Sequence, residues 1–167
     1  MTTTFDFQDG NGPVPARQHA NGGGWVADTA KVAETVRIGP NARVSGNAQV
    51  LDNAWVYGNA RVFGNALVYD KARVSGNAQV YGDAVVFGDA RVFGNAVVSG
   101  NARVFDKAQV FGGAVVSGNA WVFDKAQVFD IAWVYGNARV YGNARVSGDA
   151  QVYDNARVFG DVKEMAK

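Results

Sequence analysis

The sequence predicts an all-β chain wound into a coil of short parallel strands, three strands to each 18-residue turn, and three observations carry that prediction. An aliphatic residue stands at every sixth position from Val26 through Val32, Ile38 and Val44 to Val158, 23 positions in succession without insertion or deletion. Two residues before each is a small residue, nearly always alanine (Ala30, Ala42, Ala48 and on to Ala156), with Val36 the substitution. Two residues after comes, almost always, glycine or aspartate, followed usually by Asn, Asp or Lys.

A unit such as Ala60-Arg61-Val62-Phe63 reads as a strand, and Gly64-Asn65 as the corner after it. Side chains alternate across a strand, so Ala and Val share one face while Arg and the aromatic share the other. Arginine is not the buried set, so Ala and Val point inward. Glycine and asparagine accept positive φ at low cost, which puts a sharp bend at every sixth residue. A helix is excluded, because valine and glycine recur throughout and both weaken helices. A flat meander would need more than twenty strands in one sheet, wider than open sheets grow. A coil instead stacks each strand on the third strand after it, and 23 units then make about 7.7 coils, a rod of about 36 Å.

Residues 1–24 break the period and are expected to cap the first coil, with Phe5 and Phe7 on a covering strand and Gly10, Gly12, Pro13, Pro15 and Gly22-Gly23-Gly24 marking an irregular loop. Residues 25–162 form the repeat, and 163–167 are a short C-terminal tail. The brevity of that tail leaves the far end of the coil open for end-to-end stacking.

At 167 residues and 17.7 kDa the chain fits one domain. Sixteen Lys and Arg against fifteen Asp and Glu, a formal charge of +1, supply no bulk field, so nucleic acid and membrane surfaces are not expected partners. The absence of cysteine excludes disulfides, thiolate metal sites and a cysteine nucleophile. No basic start with an apolar stretch opens the sequence, and no run of about 18 apolar residues occurs, so a soluble, cytoplasmic protein is expected.

The pattern, as in Val56-Tyr57-Gly58-Asn59-Ala60-Arg61, resembles the hexapeptide-repeat proteins of the left-handed parallel β-helix class, over Trp25 to Val162. The resemblance implies left-handed coiling. The Gly-Asn-Ala units and the lead-in GPVPARQHANGGGWVADTA are most similar to the polymer-forming hexapeptide proteins of bacteria and their phages. Enzymes of the class include acyltransferases, with a histidine and a protruding loop at a trimer interface, and γ-type carbonic anhydrases, with zinc held by three histidines. This chain has one histidine, His19, and no loop interrupts its coils. Three-histidine zinc is therefore excluded within one chain, no metal or cofactor is expected, and His19 is the lone candidate catalyst.

Folded on the 18-residue period, the outward positions fall on three unequal faces. The first carries Leu51, Tyr69, Phe87, Phe105, Phe123, Tyr141 and Phe159 in one column, with Leu67, Val85 and Trp121 beside it. The second carries Tyr57, Ser75, Phe93, Phe111, Phe129 and Ser147, and the third Ser45, Phe63, Tyr81, Ser99, Ser117, Tyr135 and Tyr153. Stacked rings support the coil they sit on, and an apolar strip several coils long is also a candidate interaction surface. After the third face come Asn47, Asn65, Asp83, Asn101, Asn119, Asn137 and Asn155, expected to form an amide ladder. After the first come Asp52, Asp70, Asp106 and Asp124, expected to be neutralised by Lys71, Lys107 and Lys125 rather than to bind a cation.

The functional expectation is a non-enzymatic structural or interaction module that associates with itself, as a dimer, trimer or end-to-end assembly, or with another protein, through the first face. Two alternatives stay open: an unusual or degenerate acyltransferase with its site near His19, and a phage or prophage protein that binds a host factor or small ligand.

Overall fold

In a computed structural model, which describes residues 3–162, the chain is a parallel β-solenoid. It opens with β1 (Thr4–Asp6), β2 (Pro13–Gln18) and β3 (Trp25–Ala27). Two-residue strands follow at every sixth position from β4 (Lys31–Val32) to β25 (Arg157–Val158), and β26 (Asp161–Val162) closes the series. Every third strand joins the same sheet, so β4, β7 (Gln49–Val50) and β10 (Leu67–Val68) begin the first face. The second face begins with β5 (Arg37–Ile38) and β8 (Trp55–Val56), and the third with β3 and β6 (Arg43–Val44). Register keeps the 18-residue offset, as in Arg73↔Arg91 and Val74↔Val92.

The core is what the repeating unit requires. From Ala42 to Val152 every Ala and Val of the inward columns is fully buried. An alanine in each unit keeps the prism narrow enough for three walls to meet, and valine fills what is left.

Corner geometry explains the choice between glycine and aspartate. The first corner residue has positive φ throughout the regular coils, near 65–70° at the glycines and 55–58° at Asp52, Asp70, Asp106, Asp124, Asp130 and Asp154. Aspartate is one of the few side-chain-bearing residues that accept this conformation.

At the N-terminal end, β1 and β2 form an antiparallel hairpin, and β2 pairs antiparallel with β3 (Ala16↔Ala27, Gln18↔Trp25). The hairpin extends the third sheet beyond β3 and curls back over its outward surface. Phe5 stacks on Trp25 at 4.5 Å, and Phe7 is buried with Ala16 and Ala27. Arg61 donates to the carbonyls of Phe7 (2.6 Å) and Gln8 (3.1 Å), and Arg43 donates to Gln8 Oε1 (2.9 Å). Residues 19–24 cross the open end instead, where the Ile38 N–H donates to Asn21 O and the Gly24 N–H to Ile38 O, both at 3.0 Å. This crossing is so close that a Cβ on Gly22, at φ +112°, would stand 2.3 Å from Ile38 O. Covering the first coil is thus divided between a hairpin on the wall and a glycine-rich crossing on the end.

At the other end the period slips. β26 pairs with β23 (Arg145–Val146) as Arg145↔Asp161, two positions short of the regular offset, because the corner after Phe159 is two residues shorter. Ala156 and Val158 are only half-buried there, while their equivalents further in are fully covered. The expected tail, 163–167, lies outside the described residues.

Candidate interaction faces

The ring column of the first face is a continuous stack. Tyr69–Phe87, Phe87–Phe105 and Phe105–Phe123 have centroids 4.9, 4.9 and 5.0 Å apart with planes within 4° of parallel, and Phe123–Tyr141 follows at 5.3 Å. The parallel strands set this spacing, since each ring stands one strand from the next. The stack also half-buries its own members. Leu51, Leu67, Tyr69, Val85, Phe87, Phe105, Trp121, Phe123 and Tyr141 are all half-buried, and Phe159, in the last coil, is 66% exposed. The Tyr69 phenol is pushed above its ordinary value by partial burial, with the Asp70 carboxylate adding to the rise and Arg103 opposing it.

Two tryptophans are held between arginines. Arg37 and Arg73 lie over Trp55 at 5.6 and 5.2 Å, and Arg103 and Arg139 over Trp121 at 5.2 and 4.8 Å. Each set occupies three consecutive coils of one outward column, so the coil spacing places guanidinium, indole and guanidinium in contact. Sequence reasoning misses these stacks, although an 18-residue alignment of the Arg and Trp positions contains them. Trp133 has Val115 and Gln151 as its strand neighbours instead, and it is 50% exposed beside Ile131, which is 62% exposed.

The amide ladder forms as expected and breaks where its chemistry fails. Asn47 donates to Asn65, Asn65 to Asp83 (3.0 Å), Asn101 to Asn119 (3.2 Å), Asn119 to Asn137 (3.1 Å) and Asn137 to Asn155 (3.3 Å). Asp83 accepts from Asn65 but as a carboxylate has no N–H to pass on to Asn101. A second amide ladder, Asn59 to Asn77 to Asn95, runs along another corner, ahead of Gly113 and Ile131 in the same column.

The aspartate corners correct one expectation. Lys71, Lys107 and Lys125 make no ion pair with them, and the one ion pair among the described residues is Arg17–Asp28 at 3.3 Å. The carboxylates point along the solenoid axis and accept backbone N–H groups of the next coil. Asp52 accepts from Asp70 (3.2 Å), Asp70 from Gly88 (3.1 Å), Asp106 from Asp124 (3.3 Å) and Asp124 from Gly142 (2.9 Å). Asp130 does the same for Gly148 at 3.0 Å. A left-handed backbone with a short acceptor side chain does this best, which is why aspartate rather than alanine replaces glycine here. Asp124→Ala is therefore expected to destabilise by about 1–2 kcal/mol through the lost acceptor and the strained φ. Asp124→Asn, which keeps an acceptor and the same tolerance, should stay within about 0.5 kcal/mol. Urea midpoints of the two variants check this.

His19 is 8% exposed, and both its ring nitrogens are in use. Nδ1 accepts from the Asn21 N–H at 3.1 Å, which puts the proton on Nε2, and Nε2 donates to Ala33 O at 3.1 Å. Its own backbone pairs with Gly24 O and the Gly23 N–H. The ring thus shapes the crossing at the coil's open end. His19→Ala is expected to speed amide hydrogen exchange of residues 19–24 and Ile38 while leaving protection of Val92 to Val128 unchanged, as local opening of one end would.

Among the described residues no group of three or more His, Asp or Glu side chains is placed to hold a metal ion, and no helix is long and apolar enough to cross a membrane. Stacked two-residue strands in three sheets around an Ala and Val core define the chain as a β-solenoid repeat protein. It matches the model of the YdcK β-solenoid repeat at residues 42–58, 54–70, 60–76, 72–86, 78–92, 86–100, 90–106, 132–148 and 150–163. The matches cover more than half of the chain, and it belongs to that family. The stretch between 107 and 131, which contains Gly113 and Ile131, lies outside them. No curated protein and no solved structure matches the chain.

Proposed function

We propose that the protein is a non-enzymatic, rigid interaction module that associates with itself through the first face. The observation that carries this reading is the flat strip of rings from Tyr69 to Tyr141, five successive coils with centroids 4.9 to 5.3 Å apart. Such a strip, flanked by Leu67, Val85 and Trp121, is pre-ordered, so association through it costs little side-chain entropy. A second copy presents the same flat strip, which suits a two-fold interface where the strips meet face to face, or a three-fold one where opposite edges of the strip meet. The resemblance of the Gly-Asn-Ala units to polymer-forming hexapeptide proteins points the same way, and the half-covered core at Ala156 and Val158 supports end-to-end contact as a further mode. The test is the mass in solution across a concentration series, by light scattering after size exclusion. A discrete dimer or trimer, or a growing filament, is the expected result, and a monomer at every concentration overturns the reading.

A further inference from the structure

The second face is interrupted in a way that occurs once among the described residues. Its ring column reads Tyr57, Ser75, Phe93, Phe111, Phe129, with a serine where a single ring is missing between two others. On the third face the serines are paired (Ser99, Ser117) or, at Ser45, neighbour Ala27 rather than a ring. Complete rungs of the second face, Phe93–Phe111 and Phe111–Phe129, have centroids 4.8 and 5.0 Å apart and planes within 3° of parallel. Tyr57 and Phe93 are two strand spacings apart, about 9.6 Å. A planar ring placed midway meets both at the distance the ladder's own rungs keep.

The space is a notch of about 180 Å³ bounded by Tyr57, Arg73, Ser75, Arg91 and Phe93. Ser75, 8% exposed, is its floor. Neither arginine has an ion-pair partner among the described residues, but Arg73 is engaged on Trp55 at 5.2 Å whereas Arg91, on the next coil, lies over no ring among them. The geometry points to a binding site for a small planar aromatic carboxylate. Its ring takes the missing rung between Tyr57 and Phe93, and its carboxylate is paired by the Arg91 guanidinium. Parallel stacking on two rings supplies the shape preference and the planar guanidinium supplies the charge preference. The notch holds one ring with its acid group, which favours a free small molecule over a polypeptide segment. With two stacks and one exposed ion pair the expected Kd is about 0.1–1 mM.

The test is a titration of the full chain with benzoate, followed by backbone amide NMR. Shifts confined to the amides around Tyr57, Ser75, Arg91 and Phe93, saturating in that range, are expected. Cyclohexanecarboxylate, equally charged but not flat, should leave them unmoved. Arg91→Gln, which copies Gln109 and Gln127 of the same column and so preserves the coil, should weaken benzoate about two- to fivefold. Ser75→Phe completes the ladder and should abolish binding while raising the Tm by a few degrees. Absence of benzoate shifts, equal binding of cyclohexanecarboxylate, or undiminished binding by Ser75→Phe overturns the proposal. The site is on a different face from the strip Tyr69 to Tyr141, so its failure and the failure of self-association are separately visible.

Discussion

Under the proposed self-association, Phe105→Asp is expected to leave the chain monomeric at concentrations where the parent chain gains mass. Phe105 is the central ring of the first-face stack, with Phe87 and Phe123 at 4.9 and 5.0 Å and Trp121 edge-on at 6.1 Å. A carboxylate in the middle of a flat apolar interface is desolvated without a partner, and association loses about 2–5 kcal/mol, at least a thirtyfold weakening. Within the monomer the change removes two ring stacks, worth about 0.5–1.5 kcal/mol each. Phe111→Asp on the second face is the matched control, because it also removes two stacked neighbours, Phe93 and Phe129. Light scattering on both variants decides the matter. Loss of mass in Phe105→Asp alone assigns the interface to the first face, and equal behaviour of the two refutes that assignment.

Ala102→Leu is expected to cost about 3 kcal/mol or more, the upper range for overpacking a core. Ala102 is fully buried in the middle of the rod, and the coils on either side repeat the same alanine at Ala84 and Ala120. Three further carbons there have nowhere to go, since both adjoining coils are locked to it by backbone hydrogen bonds such as Arg103 N to Ala120 O at 2.9 Å. The contrast is Val36, a larger residue at an alanine position that is nevertheless fully buried, in the coil next to the glycine-rich crossing rather than between two regular coils. Chemical denaturation followed by circular dichroism should show a lower midpoint for Ala102→Leu. A broadened transition is also expected, as the rod divides into two less coupled halves. A midpoint equal to that of the parent chain would mean that the prism is less tightly filled than its burial indicates.

The architecture was legible because a strictly repeated unit makes every local preference agree with the global one. The uninterrupted spacing from Val26 to Val158 specifies one strand and one corner in every six residues, and the inward Ala and Val columns follow from alternation alone. The Asn ladder followed too, since identical amides one full turn apart in the chain must stand one strand spacing from each other. Less legible were features that depend on the direction of a side chain at a corner. The aspartates after the first face were adjacent to lysines in sequence, and charge alone paired them. At positive φ the carboxylate instead lies along the axis, within reach of the next coil's N–H, as Asp124 Oδ2 does for Gly142 at 2.9 Å.

By itself, then, the sequence determined everything that depends on period: strand, corner, inward and outward residue, and the three columns of rings. Tertiary structure alone decided what lacks a period. It bent the hairpin of Phe5 and Phe7 onto Trp25, and it turned the only histidine into a hydrogen-bonded brace for the coil's end. It also shortened the last corner, pairing Asp161 rather than residue 163 with Arg145. The physical reason is one of range. A repeat fixes contacts between equivalent residues of successive turns by translation, whereas the ends and gaps are fixed by single side chains meeting once, and no pattern in the chain announces such a meeting.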